Sequence, residues 1–212
     1  WNVFGALLGG FGSCIGAGAT LATLLFLAHQ NRKQQEFIEL QMKAQNFEQF
    51  LTHQRVFGER LEQVRARYDH KIRFPEVETL YLGLFPNNGP ASVDLVVKPE
   101  HSENNENLLG RLKVQFERLD SLLEKAEWTE AAAYGLATHL IELVSDLGFE
   151  WVGEQTDGDI IQGTFHTGIN IYSLHEAFWR MKQVYDVYLR FAGNSEFDGL
   201  NRGVSRFVSE AL

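Results

Sequence analysis

Two of the chain's seven histidines, His166 and His175, follow the short acidic stretch Thr156-Asp157-Gly158-Asp159 closely enough to meet it in space. An imidazole beside a carboxylate is the pairing that hydrolysis and metal binding both use. The other parts of such sites are missing from the sequence. No H-E-x-x-H occurs, so no pair of histidines is set on one helix face around a glutamate. The TDGD stretch puts two acids beside a glycine but lacks the ligand series of a calcium loop, and it reads as a turn. There is no G-x-S-x-G elbow for a nucleophilic serine. No Gly-Lys pair occurs to close a phosphate loop. Gly10 and Gly12 are followed by Ile15, and Gly16 and Gly18 by Leu21, where a dinucleotide loop needs its third glycine. The single cysteine, Cys14, makes no intrachain disulfide and supplies no zinc site with these histidines. The expectation is a protein that is not an enzyme and holds no metal or cofactor. A hydrolase built on His166 and Asp157 is the alternative.

The elements that would carry such residues are mostly helical, and the first is unlike the rest. Residues 1–28 contain no Asp, Glu, Lys or Arg. A bilayer core takes roughly 20 mostly apolar residues of helix, and backbone groups in lipid must pair within the segment. The expected fold is therefore mainly α, opening with a transmembrane helix over 1–28. Its small residues are ordered: Gly5, Gly9, Ser13 and Ala17 are four apart, and so are Gly12, Gly16 and Thr20. Such rows let neighbouring helices approach closely in lipid. They predict a membrane helix that packs through Gly5, Gly9, Gly12, Ser13, Gly16 and Ala17 and can form homo-oligomers. Trp1 fits an interfacial anchor at one end, and Arg32 and Lys33 at the other. Lys/Arg beside a membrane end stay cytoplasmic. The rest of the chain is thus expected in the cytoplasm, anchored to the inner membrane.

Residues 29–73 read as a juxtamembrane amphipathic helix. Phe37, Leu40, Ala44, Phe47 and Leu51 follow a three–four alternation, which falters near Gly58 and predicts a break there. Residues 74–212 read as an acidic helical domain with at most a few short strands. Leu108, Leu112, Phe116, Leu119 and Leu123 give one apolar face, and Ala133, Leu136, Leu140, Val144 and Leu147 a second. Phe178, Met181, Tyr185 and Tyr188 give a third, opened by Ser173 and Glu176 as a capping box, with a short last helix after Ser195. The chain's net charge of −9 divides into +3 over 29–73 and −12 over 74–212. An acidic domain binds little nucleic acid directly, since phosphate binding rests on Lys and Arg. It suits a basic protein partner.

The charge-free run, the basic stop after it, "FIELQMKAQNFEQFLTHQRVFGERLEQ" and "HEAFWRMKQVYDVYLRF" together resemble the transmembrane effectors of bacterial retrons. More loosely, the chain resembles phage abortive-infection membrane proteins. The likeness to retron effectors implies a toxin of anti-phage defence. It implies silencing by a reverse transcriptase with its RNA–DNA hybrid, contacted mainly through the protein, and damage to the inner membrane on release. Such effectors carry two membrane helices, whereas this chain shows one and opens on Trp1 rather than Met. A membrane-anchored adaptor or sensor without pore activity is the other alternative.

Overall fold

The computed structural model describes residues 2–102, 105–124 and 130–200. Side chains are described for these except at 2–9, 11, 14, 15, 102, 105, 106, 130–133, 162 and 165. The chain is mainly helical, with five helices among the described residues. It divides into two compact units, Trp1–Glu48 and Gln49–Leu212.

Helix α1 runs from Asn2 to Arg67 without interruption. The break expected at Gly58 is absent. Glycine weakens a helix interior by about 1 kcal/mol, but Phe57, Leu61 and Val64 around it are buried and hold the turn by packing. The helix closes with two left-handed residues in succession, Asp69 (φ 52°) and His70 (φ 58°), and the His70 N–H reaches back to the Arg65 carbonyl at 3.0 Å.

The second unit builds its core on α2 (Val77–Leu84), α3 (Leu108–Leu123), α4 (Glu130–Asp146) and α5 (Leu174–Phe191). The apolar faces legible in the sequence are the buried ones: Leu108, Leu112, Phe116, Leu119 and Leu123 on α3, Leu136, Leu140 and Val144 on α4, and Phe178, Met181, Tyr185 and Tyr188 on α5. Leu147, just past α4, is buried with them, and the Ala133 side chain lies outside the described residues. Both buried tyrosines of α5 find acceptors, Tyr185 Oη donating to the Leu109 carbonyl (3.0 Å) and Tyr188 Oη to that of Leu147 (2.6 Å). Burial pushes both phenols above their ordinary range.

The capping box at α5 does not form. Ser173 stands at the N-cap with ψ 41°, and its side chain makes no capping hydrogen bond. A capping hydroxyl reaches the first turn from an extended backbone. At Ser173 the Glu176 N–H bonds the backbone carbonyl instead (3.0 Å). Residues 195–200 are not helical, and the remainder of the expected last helix lies outside the described residues.

Short antiparallel pairs join the helices: β1 (Ile72–Arg73) with β4 (Glu150–Trp151), β2 (His101–Ser102) with β3 (Asn105–Glu106), and β5 (Asp159–Gln162) with β6 (Phe165–Asn170). A further link is made by side chains. The Asp94 N–H donates to Asn88 Oδ1 (2.7 Å), which turns Asn88 Nδ2 toward Tyr81 Oη (3.0 Å). The Tyr81 hydroxyl in turn hydrogen-bonds His53 Nδ1 (2.9 Å). Phe191 stacks on the ring at 4.6 Å and Phe85 meets it edge-on at 4.9 Å.

Burial holds the His53 pKa below 6.5. The unfolded chain therefore takes up this proton first, and the stability His53 contributes is complete above pH 6.5 and lost as pH falls through the folded value. Acidification from pH 7.5 to 5.5 is expected to speed amide exchange at residues 53–64, after correction for intrinsic rates. His53→Phe should remove that part of the pH dependence, and an unchanged profile would refute the assignment.

Candidate functional site

The membrane-facing residues expected from the sequence all lie in the first unit. Gly12, Ser13, Gly16 and Ala17 are exposed on α1, and a Cβ added at Gly12 or Gly16 would meet nothing within 4 Å. Gly5 and Gly9 fall within α1, but their surroundings lie outside the described residues, as does Trp1 altogether. Arg32 pairs with Glu36 at 3.7 Å, one turn on, and Lys33 is exposed. Large apolar side chains are open along the same helix: Leu21, Leu24, Leu25 and Phe26 are 58–66% exposed. The two threonines among them bond their own helix, Thr20 Oγ1 to the Gly16 carbonyl (2.9 Å) and Thr23 Oγ1 to that of Ala19 (2.8 Å). Their hydroxyls are thus satisfied without water.

Among the described residues no helix is long and apolar enough to cross a membrane. Of the expected span 1–28, the described side chains are Gly10, Gly12, Ser13 and those from Gly16 onward. The small residues from 12 to 20 carry little apolar weight, and the strongly apolar Leu7, Leu8 and Phe11 are not among them.

The histidine–acid neighbourhood lies in the second unit, on the β5–β6 hairpin. Gly163 at φ 61° makes its tight turn, Asp159 pairs with Asn170, and the register shifts between Asp159 and Ile161. The structure brings His166 to Asp159, not to Asp157: Nε2 lies 3.1 Å from Oδ2, and both side chains are more than nine-tenths buried. The carboxylate also accepts from the Thr156 N–H (2.6 Å), the Thr156 hydroxyl (3.1 Å) and Asn170 Nδ2 (2.9 Å). Asp157 contributes its backbone carbonyl, to Asn170 Nδ2 at 2.8 Å. Burial raises the Asp159 pKa, but hydrogen bonds from Thr156, Asn170 and His166 outweigh it and hold the carboxyl below its ordinary range.

A groove of about 970 Å³ opens beside this hairpin, lined by Tyr68, Trp151, His175, Trp179 and Arg180 among others. Nothing in the sequence pointed to Arg180. Its guanidinium lies 4.2 Å over the Trp151 ring and donates to the Gly168 carbonyl at 2.6 Å. A side chain at Gly168, where φ is 68°, would strike both Trp151 and Arg180. Burial pushes the Arg180 pKa down, with Tyr68, Glu176 and Asp159 opposing it.

For chemistry, a base held by Asp159 needs a nucleophile or a water on its other nitrogen. The nearby hydroxyls are committed elsewhere, Thr156 Oγ1 to Asp159 and Thr167 Oγ1 to the Ile160 carbonyl (2.7 Å). Among the described residues no group of three His, Cys, Asp or Glu could hold a metal ion. The Asp159 carboxylate ties Thr156, His166 and Asn170 together across the hairpin. Asp159→Ala leaves the buried His166 imidazole and the half-buried Asn170 amide without this acceptor and is expected to destabilise the chain by about 2 kcal/mol. Urea denaturation followed by circular dichroism measures it, and a change under about 0.5 kcal/mol would show that this tie is unimportant. Compared with protein-family models, curated proteins and solved structures, the chain matches none of them.

Proposed function

We propose that this protein is a membrane-anchored toxic effector of anti-phage defence. Residues 1–28 enter the inner membrane, the remainder lies in the cytoplasm, and a reverse transcriptase with its RNA–DNA hybrid restrains the chain until release lets it breach the membrane. The observation that carries the reading is the run of open apolar residues on α1, Leu21 to Leu27, continuous in sequence with the charge-free segment before it. Isolated exposed apolar residues are ordinary, but a contiguous run of this kind needs an apolar environment to cover it. The ordered glycines and the self-bonded threonines suit lipid on the same grounds. The resemblance to retron effectors supplies the defence role and the restraining partner.

Inducing the chain alone in bacteria tests this. It is expected to resist alkaline carbonate extraction from membranes, to depolarise cells and admit an impermeant dye, and to do neither of the last two when its reverse transcriptase and hybrid are co-expressed. A chain washed off by carbonate would overturn the anchor. An anchored chain that leaves potential and dye exclusion intact would favour an adaptor or sensor instead.

A further inference from the structure

Every described side chain of α1 from Gly16 to Gln45 is exposed. An isolated helix of this length has no tertiary support of its own, and a long periodic helix is commonly half of a coiled coil. Within the first unit the exposure is patterned. Phe37 (60%), Leu40 (65%) and Phe47 (49%) lie open, and with Ala44 they keep the three–four alternation that places side chains on one seam.

We infer that a second copy of this chain covers that seam, parallel and in register. The charges beside it select the occupant. With Phe37 and Ala44 at the first seam position and Leu40 and Phe47 at the fourth, Lys43 and Glu48 fall at the two flanking positions. In a parallel pair these face each other across the seam five residues apart. The Lys43 of each copy meets the Glu48 of the other, twice by symmetry. Among the described residues neither has an ion-pair partner in its own chain. In an antiparallel pair, flanking positions of the same kind face each other, so this complementarity is lost. Counting back in the same alternation passes Lys33 and Gln30, which interrupt the apolar seam, and reaches Phe26, Thr23, Ala19, Gly16 and Gly12. The pairing deepens the effector reading but does not require that the chain damage membranes.

The test is disulfide scanning on the full-length chain in detergent, with Cys14→Ser removing the native thiol. Leu40→Cys and Ala44→Cys are expected to cross-link under mild oxidation at least tenfold faster than Glu39→Cys and Gln45→Cys on the sides of the helix. Lys43→Glu should slow the Ala44→Cys cross-link severalfold, and adding Glu48→Lys should restore it. Equal rates around the helix, failure of the double reversal to rescue, or a single-chain mass at sedimentation equilibrium would each overturn the pairing. So would a different protein found cross-linked at Leu40→Cys in its place. Membrane damage by a chain that fails these tests would leave the effector reading standing and remove only the paired seam.

Discussion

Gly12→Leu is expected to leave the protein in the membrane fraction and to abolish depolarisation on induction. The substitution adds apolar surface, so insertion is not weakened. What it removes is the flat patch where another helix backbone can approach, and in lipid such close packing with its interhelical hydrogen bonds drives association. Gly12 is open in the single chain, so leucine fits there without strain until a neighbour arrives. A clash that weakens association by about 1.4 kcal/mol lowers the association constant about tenfold. The readouts are growth and membrane potential without the restraining partner, with expression checked by blot. His166→Ala, by contrast, should leave toxicity intact in any variant that remains folded. If Gly12→Leu still depolarises cells while a folded His166→Ala variant is harmless, the hydrolase alternative replaces the permeabilising one.

The largest expected loss of stability lies at Gly110→Ala, near the start of α3. Asn107 there is nearly buried, and its side chain ties three backbone groups. Oδ1 accepts from the N–H of Gly110 (2.8 Å) and of Glu100 (3.3 Å), and Nδ2 donates to the Lys98 carbonyl (2.8 Å). These bonds draw the 98–100 backbone against the first turn of the helix. A Cβ at position 110 would overlap the Glu100 carbonyl group. Backbone cannot rotate away as a side chain can, so overpacking here should cost at least about 3 kcal/mol. Gly135→Ala on α4 is the control. Its added Cβ meets nothing within 4 Å, and a helix-interior Gly→Ala should stabilise by about 0.5–1 kcal/mol. Urea midpoints of the two variants in the detergent-solubilised chain should move in opposite directions. Equal midpoints would show that the backbone at Glu100 yields.

How much of this was legible beforehand depends on how local the cause is. The apolar faces of α3, α4 and α5 could be read because burial of Leu112, Leu140 or Tyr185 imposes a period of 3.6 on neighbours in sequence. The uninterrupted α1 could not, since glycine's propensity at 58 is local while the packing of Phe57 and Leu61 that overrides it is not. The histidine–acid neighbourhood was half legible. TDGD marked a polar turn, but which acid meets His166 depends on where β5 begins, and it begins at Asp159, with Asp157 left in the turn. Asn88 and Asn107 lie in the polar stretches PNNGP and EHSENNEN, where an asparagine that organises buried backbone has the same composition signature as one that faces water. Arg180 left no trace, since its partners Trp151 and Gly168 come from other elements.

The aromatic box around His53 also sets an order of events during synthesis. Phe57 packs on Tyr188 and Phe191, and His53 stacks on Phe191, so the box is closed by the last helix described. A ribosome adds about 5–20 residues per second. Tyr81 of α2 follows soon after Phe57, but the stripe Phe57, Leu61 and Val64 on α1 is made roughly ten seconds before α5 completes its cover. Over that interval the nascent chain offers a greasy helical face to whatever is near the exit tunnel. A chain truncated before α5 should stay bound to a holdase chaperone, whereas one that includes α5 should let go.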